Sequence, residues 1–218
     1  MNPERYQPSP EEFNQAEVFL TSEDKRLSDE REAAIEASRP GEIEPRLGSL
    51  LIPFDERLVQ LDRLQQTAEQ EEFHRKPEFH ITILGFTTGK ELARSLGAMS
   101  ESDRSEKISA LQEIVSTTDW SPVGADGEIL RIHKDYQTSD GNSITTVEQR
   151  ESFIQKIDLA GTKDFITRVN ALLGTTFEVP VTHVTLYTKS TNPKNATLGI
   201  GIKNNAEFDA LKPTNVEY

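Results

Sequence analysis

Hydrophobic and polar positions along this chain fall into two kinds of stretch: short runs with strand-like alternation and longer ones with helical spacing. Ser49-Leu50-Leu51-Ile52 predicts a short apolar strand. Residues 55–72 follow as an amphipathic helix, with Leu58, Leu61, Leu64 and Ala68 on one stripe. Residues 77–86 are β-branched and aromatic and predict a strand. Between residues 90 and 118, Leu92, Leu96 and Met99 mark one helix, and Ile108, Leu111, Ile114 and Val115 a second. Residues 128–133 predict a strand and residues 138–143 a turn. Ser152-Phe153-Ile154 opens another strand. Residues 161–173 predict a helix with Phe165, Val169 and Leu172 on its apolar side, stopped by Gly174. Strands are expected at residues 180–187 and 197–202, and a short closing helix at 206–211.

Residues 1–46 read differently, as an acidic helical appendage. Ser9-Pro10-Glu11-Glu12 is a helix start signal, a capping serine followed by proline at the first helical position. A second helix is expected over about residues 28–36, ended by Arg39-Pro40-Gly41. The remaining residues, 47–218, are read as one bilobal domain.

That bilobal expectation comes from an internal repeat. An offset of 103 residues lays Leu50 on Phe153, Leu51 on Ile154, Pro77 on Pro180, His80 on His183 and Thr82 on Thr185. Strand, helix and a Pro-x-x-His-x-Thr strand occur twice, and a repeat of that size sets the fold to be expected. In a strand, residues i and i+2 share a face. His80 and Thr82 therefore share one face while Ile81 and Ile83 take the other. His183 and Thr185 stand likewise against Val184 and Leu186. The expected architecture is α+β: two pseudo-symmetric lobes, each an antiparallel sheet with outer helices, around a central cleft lined by the two His-x-Thr strands.

Composition narrows the chemistry. The chain has 218 residues and no cysteine, which removes thiol nucleophiles, cysteine zinc sites and disulfides. Its formal net charge of −13 argues against coating a long duplex, since such proteins neutralise many phosphates with Lys and Arg. One phosphate in a local pocket remains compatible. No segment approaches the roughly 18 consecutive apolar residues of a spanning helix. The polar N-terminus lacks a secretory pattern, so a soluble cytoplasmic protein is expected.

His80-Ile81-Thr82-Ile83 and His183-Val184-Thr185-Leu186 resemble the paired His-x-Thr/Ser motifs of the two-histidine phosphoesterase superfamily. That superfamily includes 2′-5′ RNA ligase-like proteins, cyclic nucleotide phosphodiesterases and RNA-end processing enzymes. The resemblance covers about residues 47–212. It implies a metal-independent, cofactor-free phosphodiesterase acting on a nucleotide or RNA terminus with a cyclic phosphate. His80 and His183 would be acid and base, in an order the sequence leaves open. Thr82 and Thr185 would donate to phosphate oxygens. 2′-5′ ligation in the same site, or nucleotide binding without turnover, are the alternatives. Extending strand alternation adds Tyr187, Phe86 and Lys189 as candidate substrate contacts, and Arg131 is a further candidate to point into the cleft. His133, in an apolar strand without Thr at +2, is expected to be structural, and His74 exposed. Trp120 reads as a core or lid anchor.

Overall fold

A computed structural model describes residues 49–54, 58–59, 61–123, 127–139 and 145–216. The expected appendage at 1–46 and the turn residues 140–143 lie outside the described residues. In chain order the elements are β1 (Leu50–Pro53), α1 (Leu61–Gln70), β2 (His74–Arg75), β3 (His80–Leu84), α2 (Phe86–Gly97), α3 (Glu101–Thr117) and β4 (Pro122–Val123). Then come β5 (Ile129–Ser139), β6 (Thr145–Lys156), β7 (Asp158–Leu159), α4 (Thr162–Leu173), β8 (His183–Ser190), α5 (Asn205–Ala210) and β9 (Thr214–Asn215). The mixture of helices with antiparallel sheets is α+β.

Seven strands form one sheet in the order β1-β3-β8-β6-β5-β9, with β2 also paired to β8. Every pairing in it is antiparallel. β4 and β7 make a separate two-stranded sheet. The halves of the repeat were expected to carry separate sheets. Instead β3 and β8 pair at Ile81 and Val184, and strands of both halves share one sheet.

The pairing within each half recurs. In the first, Pro53 opposes His80, Ile52 opposes Ile81, Leu51 opposes Thr82, and Leu50 opposes Leu84, so β1 skips Ile83. In the second, Lys156 opposes His183, Gln155 opposes Val184, Ile154 opposes Thr185, and Phe153 opposes Tyr187, so β6 skips Leu186. Every residue of the first set lies 103 positions before its counterpart in the second. A skipped residue is a bulge, and it changes which way the strand faces. Leu50 and Leu51 are consecutive and point to opposite faces, so their partners Leu84 and Thr82 do too.

The main core lies under one face. Ile81, Ile83, Val184 and Leu186 pack there with Leu64 and Ala68 of α1 and with Phe165, Ile166 and Val169 of α4. This is the burial the apolar stripes demand, at roughly 1.5–3 kcal/mol per large side chain. Leu58, expected on the α1 stripe, precedes the helix and is 50% exposed. Ser100 caps α3 by accepting from the Asp103 amide at 3.2 Å, which fixes the break between the two central helices. Trp120 anchors against Phe165 (5.2 Å between ring centroids) and donates to the Val115 carbonyl at 2.9 Å. Gly174 ends α4 at φ 67, a conformation that favours glycine.

A smaller core of Ile132, Ile154, Val181, Ile200, Ile202 and Phe208 packs separately. Residues 197–202, expected as a strand, pack Ile200 and Ile202 into it as a turn and irregular chain. The intervening Gly199 and Gly201 are poor strand formers and leave no side chain to hold a ladder. No helix among the described residues is long and apolar enough to cross a membrane.

Candidate functional site

His80 opens β3 and His183 opens β8. In both strands the His and the Thr two positions on are half-buried, while the residue between them is fully buried. Antiparallel pairing about Ile81 and Val184, continued one residue each way, sets His80 across from Thr185 and Thr82 across from His183. Directly opposed residues share a face, with Cβ atoms about 4.5–5.5 Å apart. The four side chains therefore occupy one face of the sheet, turned away from the main core. Leu51 and Pro53 flank them from β1, and Ile154 and Lys156 from β6.

The imidazoles are held differently. His183 donates from Nδ1 to the Val181 carbonyl at 2.9 Å. A carbonyl can only accept, so this bond fixes the hydrogen on Nδ1 and leaves the Nε2 lone pair available. Burial pushes the His183 pKa below its ordinary value, against the opposing pull of that carbonyl. His80 instead has the Glu78 carboxylate near Nδ1, with Oε1 at 3.8 Å. Glu78 and Val181 are counterparts in the repeat, so near Nδ1 one imidazole has a carboxylate beyond hydrogen-bond reach and the other a bonded backbone carbonyl. Gly199 backs Thr185 so closely that a Cβ there would lie 3.3 Å from Thr185 Oγ1. Among the described residues, neither Thr82 nor Thr185 spends its hydroxyl on a side-chain hydrogen bond.

The four further candidate substrate contacts do not join this face. Phe153 and Ile154 are consecutive in β6 and point opposite ways, and Tyr187 follows Phe153 while Thr185 follows Ile154. Tyr187 is thus turned into the main core, 5% exposed and edge-on to Phe153 at 6.3 Å. The bulge at Leu186 is the reason. Lys189, two residues further on, shares the Tyr187 side. Its Nζ donates to the Glu71 carbonyl at 2.7 Å and stands 5.9 Å from the Phe73 ring centroid. Arg131 opposes Phe153 and reaches both Glu71 carboxylate oxygens at 2.6 Å, over the Phe153 ring. Both cations secure the corner after α1. Phe86 lies outside β3 and starts α2, where Lys90 Nζ sits 4.1 Å from its ring centroid. His133 is not a core residue: it is exposed and contacts Asp135 at 2.7 Å. His74 is exposed in β2, as expected.

Lys156 and Glu78 were missed. The usable signal was the repeat itself, since adding its offset to Pro53 arrives at Lys156 and adding it to Glu78 arrives at Val181. Their meaning depends on pairing with the histidine strands, which local pattern does not encode.

No family model, curated protein or solved structure matches the chain.

Proposed function

We propose that this protein is a metal-independent phosphodiesterase that hydrolyses a 2′,3′-cyclic phosphate on a nucleotide or RNA terminus, using His80 and His183 as acid and base. The observation that carries the reading is the doubled pairing register. Each His-x-Thr strand has an equivalent neighbour, β1 for β3 and β6 for β8, with the same register and the same bulge, and the two strands meet at the residue between His and Thr in both. A pseudo-twofold axis through Ile81 and Val184 would bring the imidazoles to one anion from opposite sides.

The held tautomer of His183 suits the base. Its Nε2 takes a proton from water as the water oxygen attacks phosphorus. His80, with a carboxylate beside Nδ1, suits the imidazolium that protonates the departing ribose oxygen. One P–O bond forms and one breaks, and each imidazole changes by one proton. The Thr82 and Thr185 hydroxyls donate to the non-bridging oxygens, where charge grows in the transition state.

The test is turnover of 2′,3′-cyclic nucleotides with and without EDTA. His80→Ala and His183→Ala should each lose roughly 10²–10⁴-fold in kcat, and the chelator should change nothing. Turnover that survives the double substitution, or that vanishes only on chelation, overturns the reading. Affinity for cyclic nucleotides without turnover would leave a binding module.

A further inference from the structure

The two halves of the repeat agree in register yet differ in charge at one position. β1 sets Pro53 beside His80; β6 sets Lys156 beside His183, on the same face. Lys156 is half-buried and its ammonium stands 5.0 Å from the Phe208 ring centroid. Phe208 belongs to the small core and lies on α5, whose Glu207 pairs with Lys134 of β5, on the far side of β6 from β3. Other cations of the region are committed: Lys134 to Glu207 at 2.8 Å, Arg150 to Glu148, Arg131 to Glu71. Among the described residues, Lys156 has no carboxylate partner. In a chain carrying 37 acidic residues against 24 basic ones, a half-buried lysine left without an acid is conspicuous.

We propose that Lys156 is the docking cation for a second phosphate of the substrate, adjacent to the one held between the histidines. The proposal rests on the reading of the His/Thr face as a phosphodiesterase site and adds its substrate class: a molecule with at least two phosphates. Three features support a second phosphate over the reacting one. β6 is one strand further than β8 from the junction of β3 and β8, about 4.8 Å across the sheet. The ammonium rests on Phe208, outward from that junction. The reacting phosphate already faces two hydroxyls and an imidazolium. The second phosphate has two sources, a 5′-phosphate on the same nucleoside or the internucleotide phosphate of an RNA 3′ end. A ribose bearing only the cyclic phosphate leaves Lys156 idle.

The experiment compares kcat/KM for three substrates: a nucleoside 2′,3′-cyclic phosphate, the same with a 5′-phosphate, and a dinucleotide ending in the cyclic phosphate. Wild-type protein should favour one or both two-phosphate substrates by about tenfold or more, as a charge-assisted hydrogen bond provides. The favoured substrate identifies the source. Lys156→Met keeps the apolar stem on Phe208 and should bring the ratio near one, whereas Lys156→Arg should retain it. No preference in the wild type, or an unchanged ratio in Lys156→Met, overturns the assignment. Should the wild type turn over none of the three, the hydrolytic reading falls, and binding of a nucleoside 3′,5′-bisphosphate against a 3′-monophosphate decides separately. A wild-type preference for the bisphosphate that Lys156→Met abolishes would then still support the docking role, and its absence would end it.

Discussion

His183 is neutral when buried and singly bonded at Nδ1, and this has two consequences for pH dependence. As the base of the proposed reaction it would work unprotonated, so the acid limb of kcat/KM should fall below pH 6.5, the ordinary imidazole value, by an amount set by its lowered pKa. For stability the sign is the same. The unfolded chain takes up a proton on this residue at a higher pH than the folded one, so stability is intact above about pH 6.5 and declines as pH falls toward the folded value. Urea unfolding at pH 7.5 and 5.5 should show a loss in wild type that shrinks in His183→Phe. The threonines offer a cleaner readout: Thr82→Val or Thr185→Val preserves shape and should lower kcat roughly 10²-fold with little change in fold. A kcat within twofold of wild type would remove the hydroxyls from the reaction.

At the scale of elements, alternation within a strand and repetition between strands were readable from the chain. His80, Thr82, His183 and Thr185 announced themselves because polar residues stood at every second position of apolar strands. The flips at Leu84 and Tyr187 did not, since a skipped residue is a property of two strands together. Tyr187 thus looked like an extension of the site and is core. Arg131 was equally opaque, because its partner Glu71 lies 60 positions away and meets it through tertiary packing alone. Arg131→Ala should therefore lower stability by about 1 kcal/mol, as a half-exposed ion pair permits, while leaving KM for cyclic phosphates as in wild type. A raised KM would return Arg131 to the site. The outer end of β6 and β8 holds a stronger brace. Glu148 is buried, which alone would raise its pKa, yet Arg150 Nε at 2.5 Å, Ser190 Oγ at 2.8 Å and Asn195 Nδ2 at 2.9 Å outweigh burial and hold it low. Glu148→Ala strands a buried guanidinium and should cost about 3–5 kcal/mol, read as a lower urea midpoint. The contribution of the ionised carboxylate should also fade in wild type as pH drops through about 4.5, the ordinary value at which the carboxylate of the unfolded chain is half protonated, toward its lowered folded value.

At the scale of the whole molecule, the charge of −13 opposes any polyanionic ligand at long range. Screening within a Debye length of about 10 Å at 0.1 M salt leaves a local lysine effective but weakens that repulsion. Long RNA ends should therefore react more slowly than dinucleotides at low salt, with the gap narrowing as salt is added. A gap that widens with salt would point to an extended basic track along the molecule.

The bulges at Ile83 and Leu186 carry one more consequence. A strand that reverses its facing just past the threonine has room for only two outward groups before it returns to the interior. Each motif is thereby capped at two successive outward groups: β3 ends at Leu84, and the next residue of β8 on the His/Thr face, Thr188, is buried and donates to the Ala196 carbonyl at 2.7 Å. New chemistry in this architecture must arrive sideways, from the strand next door. Deleting Ile83 or Leu186 would not lift that ceiling: Leu84 or Tyr187 would then directly follow its threonine and still face inward, with one buried side chain lost from the core.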